Sequence, residues 1–159
     1  MTTTATYPSA MVPGPPPIHL EMPEDWIQVW VPQALIAVRD GARGADHFLA
    51  NVVVRHQQRA APFGRDEILA ELTGHAGQRQ QGEVGPLRSQ EMGGREWVTA
   101  DLTFVDPQAG RVAQTHWFTT EHHEQAVEVV QMTASRAASR RTVDDTTIDG
   151  IVNSIRIRP

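Results

Sequence analysis

Apolar positions along the chain switch between a period of two and a helical period, and the switches mark out the elements. Ile18-His19-Leu20-Glu21 alternates and stops at Met22-Pro23, a short first strand. Trp26 to Val31 is rich in aromatic and branched residues and ends before Pro32. Ala34 to Val38 is an apolar run closed by Asp40-Gly41, and the three runs predict strands joined by tight turns. Phe48 to His56 is the clearest early strand, with Phe48, Ala50, Val52 and Val54 on one face and Asn51 and Arg55 on the other. A helix is predicted from Asp66 to about Gln80, where Ile68, Leu69, Leu72 and Ala76 form one stripe and Gly82 is a natural stop.

The second half reads as a meander. Val84 to Glu91 leads to the Gly93-Gly94 turn, and Glu96 to Val105 alternates with Val98, Ala100, Leu102 and Phe104 inward. A hairpin loop at Asp106 to Gly110 precedes a strand from Val112 to Thr120; the turn Glu121-His122-His123-Glu124 precedes a last long strand from Ala126 to Ala134. Thr142 and Asp145 have capping-box-like spacing, and Ile148, Ile151, Val152 and Ile155 follow at helical spacing. The order predicts an α+β domain, an antiparallel meander sheet with two helices. Both helices are expected on one face, leaving the other to smaller structures, a partner or solvent. Residues 1–17, Thr-rich and then studded with Pro8, Pro13, Pro15, Pro16 and Pro17, predict a flexible tail, and residues 18–159 a single domain.

Composition narrows the function classes. The 159 residues are 40% hydrophobic and 21% charged, an ordinary globular balance. With no cysteine, a disulfide framework, a thiol nucleophile and a lipid-accepting N-terminus are excluded. All 14 basic residues are arginine, which excludes Schiff-base chemistry through lysine. A net charge of −5 argues against a nucleic-acid coat, and no apolar run is long enough to span a bilayer. The start of the chain also lacks the basic segment and apolar core of a secretory signal, so a cytoplasmic location is expected.

Several short motifs resemble one family. Met22-Pro23-Glu24-Asp25-Trp26 is similar to the proline-acidic-tryptophan turn that ends the first strand of PsbP-like proteins. The Ala50-Asn51-Val52-Val53-Val54 strand before a helix resembles their actinobacterial LpqN-type branch. So do the Gly93-Gly94-Arg95-Glu96-Trp97 hairpin and the closing Ile151-Val152-Asn153-Ser154-Ile155 helix. The resemblance covers about Ile18 to Arg158 and implies an α/β/α-like sandwich around an antiparallel sheet. Its members include a photosystem accessory protein, a Ran-binding import factor, envelope lipoproteins and effector-loading chaperones of type VI secretion. It therefore implies binding without a shared catalytic site. The chain departs from the lipoprotein branch in lacking a signal peptide and a lipid-accepting cysteine.

Candidate chemistry is sparse. His116, His122 and His123 lie near Glu121 and Glu124, but neighbouring hairpin residues point to opposite sides, so no metal is expected. No serine sits in a G-x-S-x-G elbow and no glycine-rich phosphate loop is present, so no catalytic set and no cofactor are predicted. Arg136, Arg140 and Arg141 read as a solvated loop between the last strand and the final helix, and Asp144-Asp145 as partners of that helix's dipole. Tryptophan is the stronger signal. Trp26 and Trp30 share a face if their strand is regular, opposite Ile27, Val29 and Val31, so that strand is apolar on both sides. Trp26, Trp30 and Trp117 are the candidate partner-binding residues.

These readings converge on a non-catalytic accessory or chaperone-like subunit, not an enzyme. Its expected partner is a protein or larger assembly; self-association is compatible with this reading, and nucleic acid and a membrane span are not expected. The alternatives are a carrier of a small hydrophobic or lipid-like ligand, which needs a closed apolar pocket between sheet and helix, and a small enzyme using His116 or His122 as acid or base.

Overall fold

The structure, a computed structural model, describes all 159 residues. Its centre is an antiparallel sheet of eight strands: β2 (Trp26–Gln28), β3 (Ile36–Asp40), β4 (Asn51–Ala60), β5 (Gln80–Val84), β6 (Arg88–Met92), β7 (Arg95–Asp106), β8 (Gly110–His122) and β9 (Ala126–Ala137). They lie in the order β2-β3-β4-β9-β8-β7-β5, and β6 shares the outer edge of β7 with β5. Helix α1 (Arg65–Gly77) joins β4 to β5, and α2 (Arg141–Asn153) follows β9 after a single 3-10 turn. A separate two-stranded ribbon pairs β1 (Ile18–His19) with β10 (Arg156–Ile157).

The helices cover opposite faces, which corrects the expectation that they share one. The reason lies in β9. Val127 and Val129 point to one side and Val130, Met132 and Ala134 to the other, and all five are buried. A central strand apolar on both faces needs a cover on each. Helix α1 supplies one through Ile68, Leu72 and Ala76, packed with Phe63, Leu102, Phe104 and Phe118. Helix α2 supplies the other through Ile148, Ile151 and Val152, packed with Val52, Met132, Trp97 and Trp117. Each such aliphatic side chain contributes about 1.5–3 kcal/mol when fully buried. The α/β/α sandwich implied by the family resemblance is the arrangement that forms.

Chain path explains the division. β4 sits near the middle of the sheet and β5 at its far edge, so α1 must cross over β9, β8 and β7 on one side. When α2 folds back from β9, only the other side is free.

The tryptophan strand is the main local correction. β2 holds three residues, paired as Trp26↔Asp40 and Gln28↔Val38, so Trp26 shares the face of Val38 and Val52 beneath α2 and is 6% exposed. Ile27 falls on the α1 side at an edge that α1 does not reach and is 40% exposed. The chain then leaves the sheet ahead of Pro32, with Gln33 at φ 63 in the turn, and Trp30 projects with 85% of its surface exposed. Trp26 and Trp30 therefore do not share a face.

Smaller differences have local causes. Helix α1 ends at Gly77 rather than near Gln80, and Leu69 lies off its buried stripe. Gly82 belongs to β5, where an added Cβ would stand 2.0 Å from the Ala76 carbonyl oxygen, so its role is close approach of backbone to backbone. At the start of α1 the Glu67 carboxylate accepts from the Gly64 N–H at 2.8 Å, and that bond is the main reason its pKa is lowered. Helix α2 has no side-chain cap: it starts at Arg141, and Asp145 binds Arg136 at 2.8 Å instead of closing a capping box. Asp144 is buried and paired with Arg140 at 3.4 Å.

Arg136 is not in a solvated loop. It lies in β9, is 3% exposed, and donates to the Thr115 hydroxyl at 3.0 Å as well as to Asp145. Thr115 in turn donates to Asp101 at 2.8 Å. Burial alone would raise the Asp101 pKa, but that hydrogen bond and the Arg88 and Arg141 guanidinium groups hold it below the usual value. The chain of contacts ties α2 to β7, β8 and β9.

Candidate functional site

Three places on the molecule combine exposure with chemistry. The first is the turn after β2. Trp30, Val29, Val31, Ala34 and Leu35 line a shallow apolar depression of about 370 Å³ beside β2, the free edge strand of the sheet. Of the three tryptophans singled out by the sequence, Trp30 alone is presented to solvent. Trp26 and Trp117 lie together in the α2-side core, and the Trp117 indole N–H donates to Gln90 at 3.2 Å.

The second is a groove of about 400 Å³ on the α1 side, where the sheet runs past the helix. Its apolar walls are Leu102 and Phe104, and its other lining residues are polar or charged. At its floor the His116 Nε2–H donates to Gln114 Oε1 at 2.9 Å, while Nδ1 accepts from the Gln131 amide at 3.1 Å and the Thr133 hydroxyl at 3.2 Å. Burial pushes the His116 pKa down to about 4, helped by His75 and Arg55 and opposed by Asp101. The ring is therefore neutral near pH 7, with each nitrogen committed to a neighbour. Glu71, on α1, binds Arg59 through Oε1, while its buried Oε2 has no partner.

The third place lies on the α2 side beyond the end of the helix. His56 on β4 and Glu128 on β9 are bonded through Nε2 and Oε2, and Gln58 donates to the other Glu128 oxygen at 2.6 Å. Pro8 and the run from Pro13 to Pro17 wall a cavity of about 400 Å³ above this pair, and Pro17 accepts from the Arg158 N–H at 3.0 Å. His123 lines the same cavity, whereas His122, its neighbour on the hairpin, does not. No three histidine or carboxylate side chains converge in a geometry that would hold a metal ion.

Neither the His56–Glu128 pair nor the surroundings of His116 stand out from local sequence spacing. A signal existed for the second. Gln114-x-His116, Gln131-x-Thr133 and Arg55-x-Gln57-x-Arg59 place polar residues on alternate positions of three strands that are otherwise apolar. Only the pairing of β4 with β9, and of β9 with β8, brings those stripes side by side.

Neither a family model nor a curated protein matches the sequence. Solved structures do match the fold. LpqN of Mycobacterium tuberculosis, described as involved in cell envelope biogenesis, superposes with a TM-score of 0.72 at 14% identity, over 94% of this chain and 88% of that one. The cyanobacterial PsbP of Synechocystis sp. PCC 6803 gives 0.59 at 14% identity, over 91% and 95% of the two chains. The fold is PsbP-like. A protein of unknown function from Pseudomonas aeruginosa, described as a putative regulator, gives 0.61 at 14% identity over 92% and 99%. At such identity the PsbP-like likeness carries the architecture and no residue roles. No helix of this PsbP-like domain is long and apolar enough to cross a membrane.

Proposed function

We propose that this PsbP-like domain is a non-catalytic binding module, an accessory or chaperone-like subunit that engages a protein partner through the Trp30 turn. One observation carries the reading: Trp30 stands 85% exposed among apolar neighbours at the free edge of the sheet. An indole held in water on an apolar patch gains most when a partner covers it, and tryptophan is among the strongest interface anchors. The edge strand beside it offers unpaired backbone groups to the same partner. The state of His116 supports a non-catalytic role, since a ring held neutral with both nitrogens engaged is poorly placed to exchange protons with a substrate.

A second reading, a carrier of a small apolar ligand, draws on the proline-walled cavity above His56 and Glu128. The groove beside α1 does not favour that reading, because most of its lining is polar.

Fluorescence separates the readings. The other three tryptophans are buried, so a protein bound at Trp30 should shift the red, exposed component of the emission to the blue. Chemical cross-linking in native cytosol should give one discrete adduct with the wild type and with Leu69→Ala, an exposed control on α1, and lose it with Trp30→Ala. An adduct retained by Trp30→Ala would sink the proposal.

A further inference from the structure

The proline-walled cavity on the α2 side has a floor of four deep side chains, His56, Thr119, Glu128 and Val130. Thr119, Glu128 and Val130 are buried, and the His56 side chain keeps 8% of its surface. The polar atoms of this floor are nearly all spent. The Thr119 hydroxyl donates to the Glu96 carbonyl at 3.0 Å. One Glu128 oxygen accepts from Gln58 at 2.6 Å and the other from the His56 Nε2–H. What remains is His56 Nδ1, the side-chain polar atom of these four residues that makes no hydrogen bond. It is not sealed in the protein as the unpartnered Glu71 and Thr99 oxygens are, and its ring lines the cavity.

Glu128 sets the character of that nitrogen. A carboxylate only accepts, so the shared proton sits on Nε2 and Nδ1 presents a lone pair. A hydroxyl donating to Nδ1 fits there, whereas a carboxylate would meet that lone pair with the Glu128 charge behind the ring. The other charged lining groups are not deep: Glu121 and Arg158 are exposed, and Arg95 and His123 are half-buried, so water serves them.

The wall decides the rest of the ligand. Pro8, Pro13, Pro15, Pro16 and Pro17 have no backbone N–H, so they offer rings and carbonyl oxygens but no donors. Proline rings pack well on aromatic faces, the contact by which proline-rich segments seat in aromatic-lined grooves. A cavity of about 400 Å³ has room for a substituted ring, since one of about 150 Å³ holds benzene.

We infer that this cavity binds a phenol, with the aromatic ring against the prolines and the O–H donating to His56 Nδ1. The inference rests on the carrier reading, whose ligand class it names, and is independent of the Trp30 anchor.

Calorimetry on the full chain at about pH 8, where phenols keep their proton, tests it. The probes are para-ethylphenol, its hydroxyl-free isomer para-methylanisole, para-ethylbenzoate and ethylcyclohexanol. Para-ethylphenol should bind one-to-one and saturate below about 1 mM, and each of the others should bind roughly tenfold more weakly. His56→Gln keeps a donor for Glu128 and removes the ring nitrogen, so it should weaken para-ethylphenol to the level of para-methylanisole with an unchanged circular dichroism spectrum. A second readout needs no variant: the nitrogen NMR resonance of His56 Nδ1 should move as para-ethylphenol binds and stay in place with para-methylanisole. If no probe saturates below about 1 mM, the inference and the carrier reading fail together. If para-methylanisole, para-ethylbenzoate or ethylcyclohexanol binds as tightly as para-ethylphenol, or the Nδ1 resonance stays still as the phenol binds, the inference alone is overturned and a carrier of some other ligand survives.

Discussion

The two faces of the sheet are built from the same strands and solve different problems. On the α2 side, Trp97, Trp117, Val52 and Met132 meet Ile148, Ile151 and Val152, and the β1–β10 ribbon extends the cover. On the α1 side, apolar packing follows one flank of the helix and gives way to His116, Gln131, Thr133 and Arg55 beside Glu71 and His75. One face spends most of its side chains on cohesion, with the His56–Glu128 pair and the cavity above it lying beyond the helix. The other keeps a polar groove beside its helix.

The largest expected effect is on the closed face. Trp97 is fully buried, with its indole N–H donating to the Met92 carbonyl at 3.1 Å. Trp97→Ala should cost about 3–5 kcal/mol in urea unfolding, by lost burial and a cavity the sheet cannot close. A loss below about 1 kcal/mol would show that the two faces are alike in packing.

Next is the histidine on the open face. The folded-state pKa of His116 is lowered to about 4, so between pH 6.5 and 4 the unfolded chain takes up a proton that the folded one refuses. Stability is therefore fully present above pH 6.5 and falls as the pH drops, by about 3 kcal/mol at pH 4. Unfolding midpoints measured across that range should slope downward toward acid in the wild type. His116→Gln should flatten the slope while lowering stability at pH 7 by about 1–2 kcal/mol through the altered hydrogen bonds. An equal slope in both proteins would place the acid sensitivity elsewhere.

The smallest effects belong to the edge. Ile27→Asp should cost about 1 kcal/mol or less, since the side chain is half-exposed on the uncovered side, and a charge there stays hydrated. Trp30→Ala should leave the melting temperature within a few degrees, about 0.5 kcal/mol, while abolishing partner capture. A loss of several kcal/mol from either substitution would mean that this edge is part of the core.

Much of this was legible in the residues. The two-residue period located β4, β7, β8 and β9, and the Ile148, Ile151, Val152, Ile155 stripe was read correctly as the buried side of the closing helix region. The exposed anchor was legible only in part. Composition marks tryptophan as a candidate for both core and interface, and Trp26 and Trp30 differ by the point at which the chain leaves the sheet. The proline-rich segment reads from sequence as lacking any apolar period, and the structure shows Pro13 to Pro17 against the α2-side cavity.

What the sequence determined by itself is therefore local: which stretches alternate, which are helical, where turns fall, and that thiol and lysine chemistry are absent. Periodicity is a property of near neighbours, so it can say that a residue points to one side without saying what lies there. The tertiary structure decided the rest through contacts distant in sequence. The order β4-β9-β8-β7-β5 sends α1 across one face and leaves the other to α2. The β4–β9 and β8–β9 ladders together gather Arg55, Gln131 and Thr133 around His116, and the second sets the buried Arg136 opposite Ala113. Strand order, not composition, turned scattered polar residues into a groove.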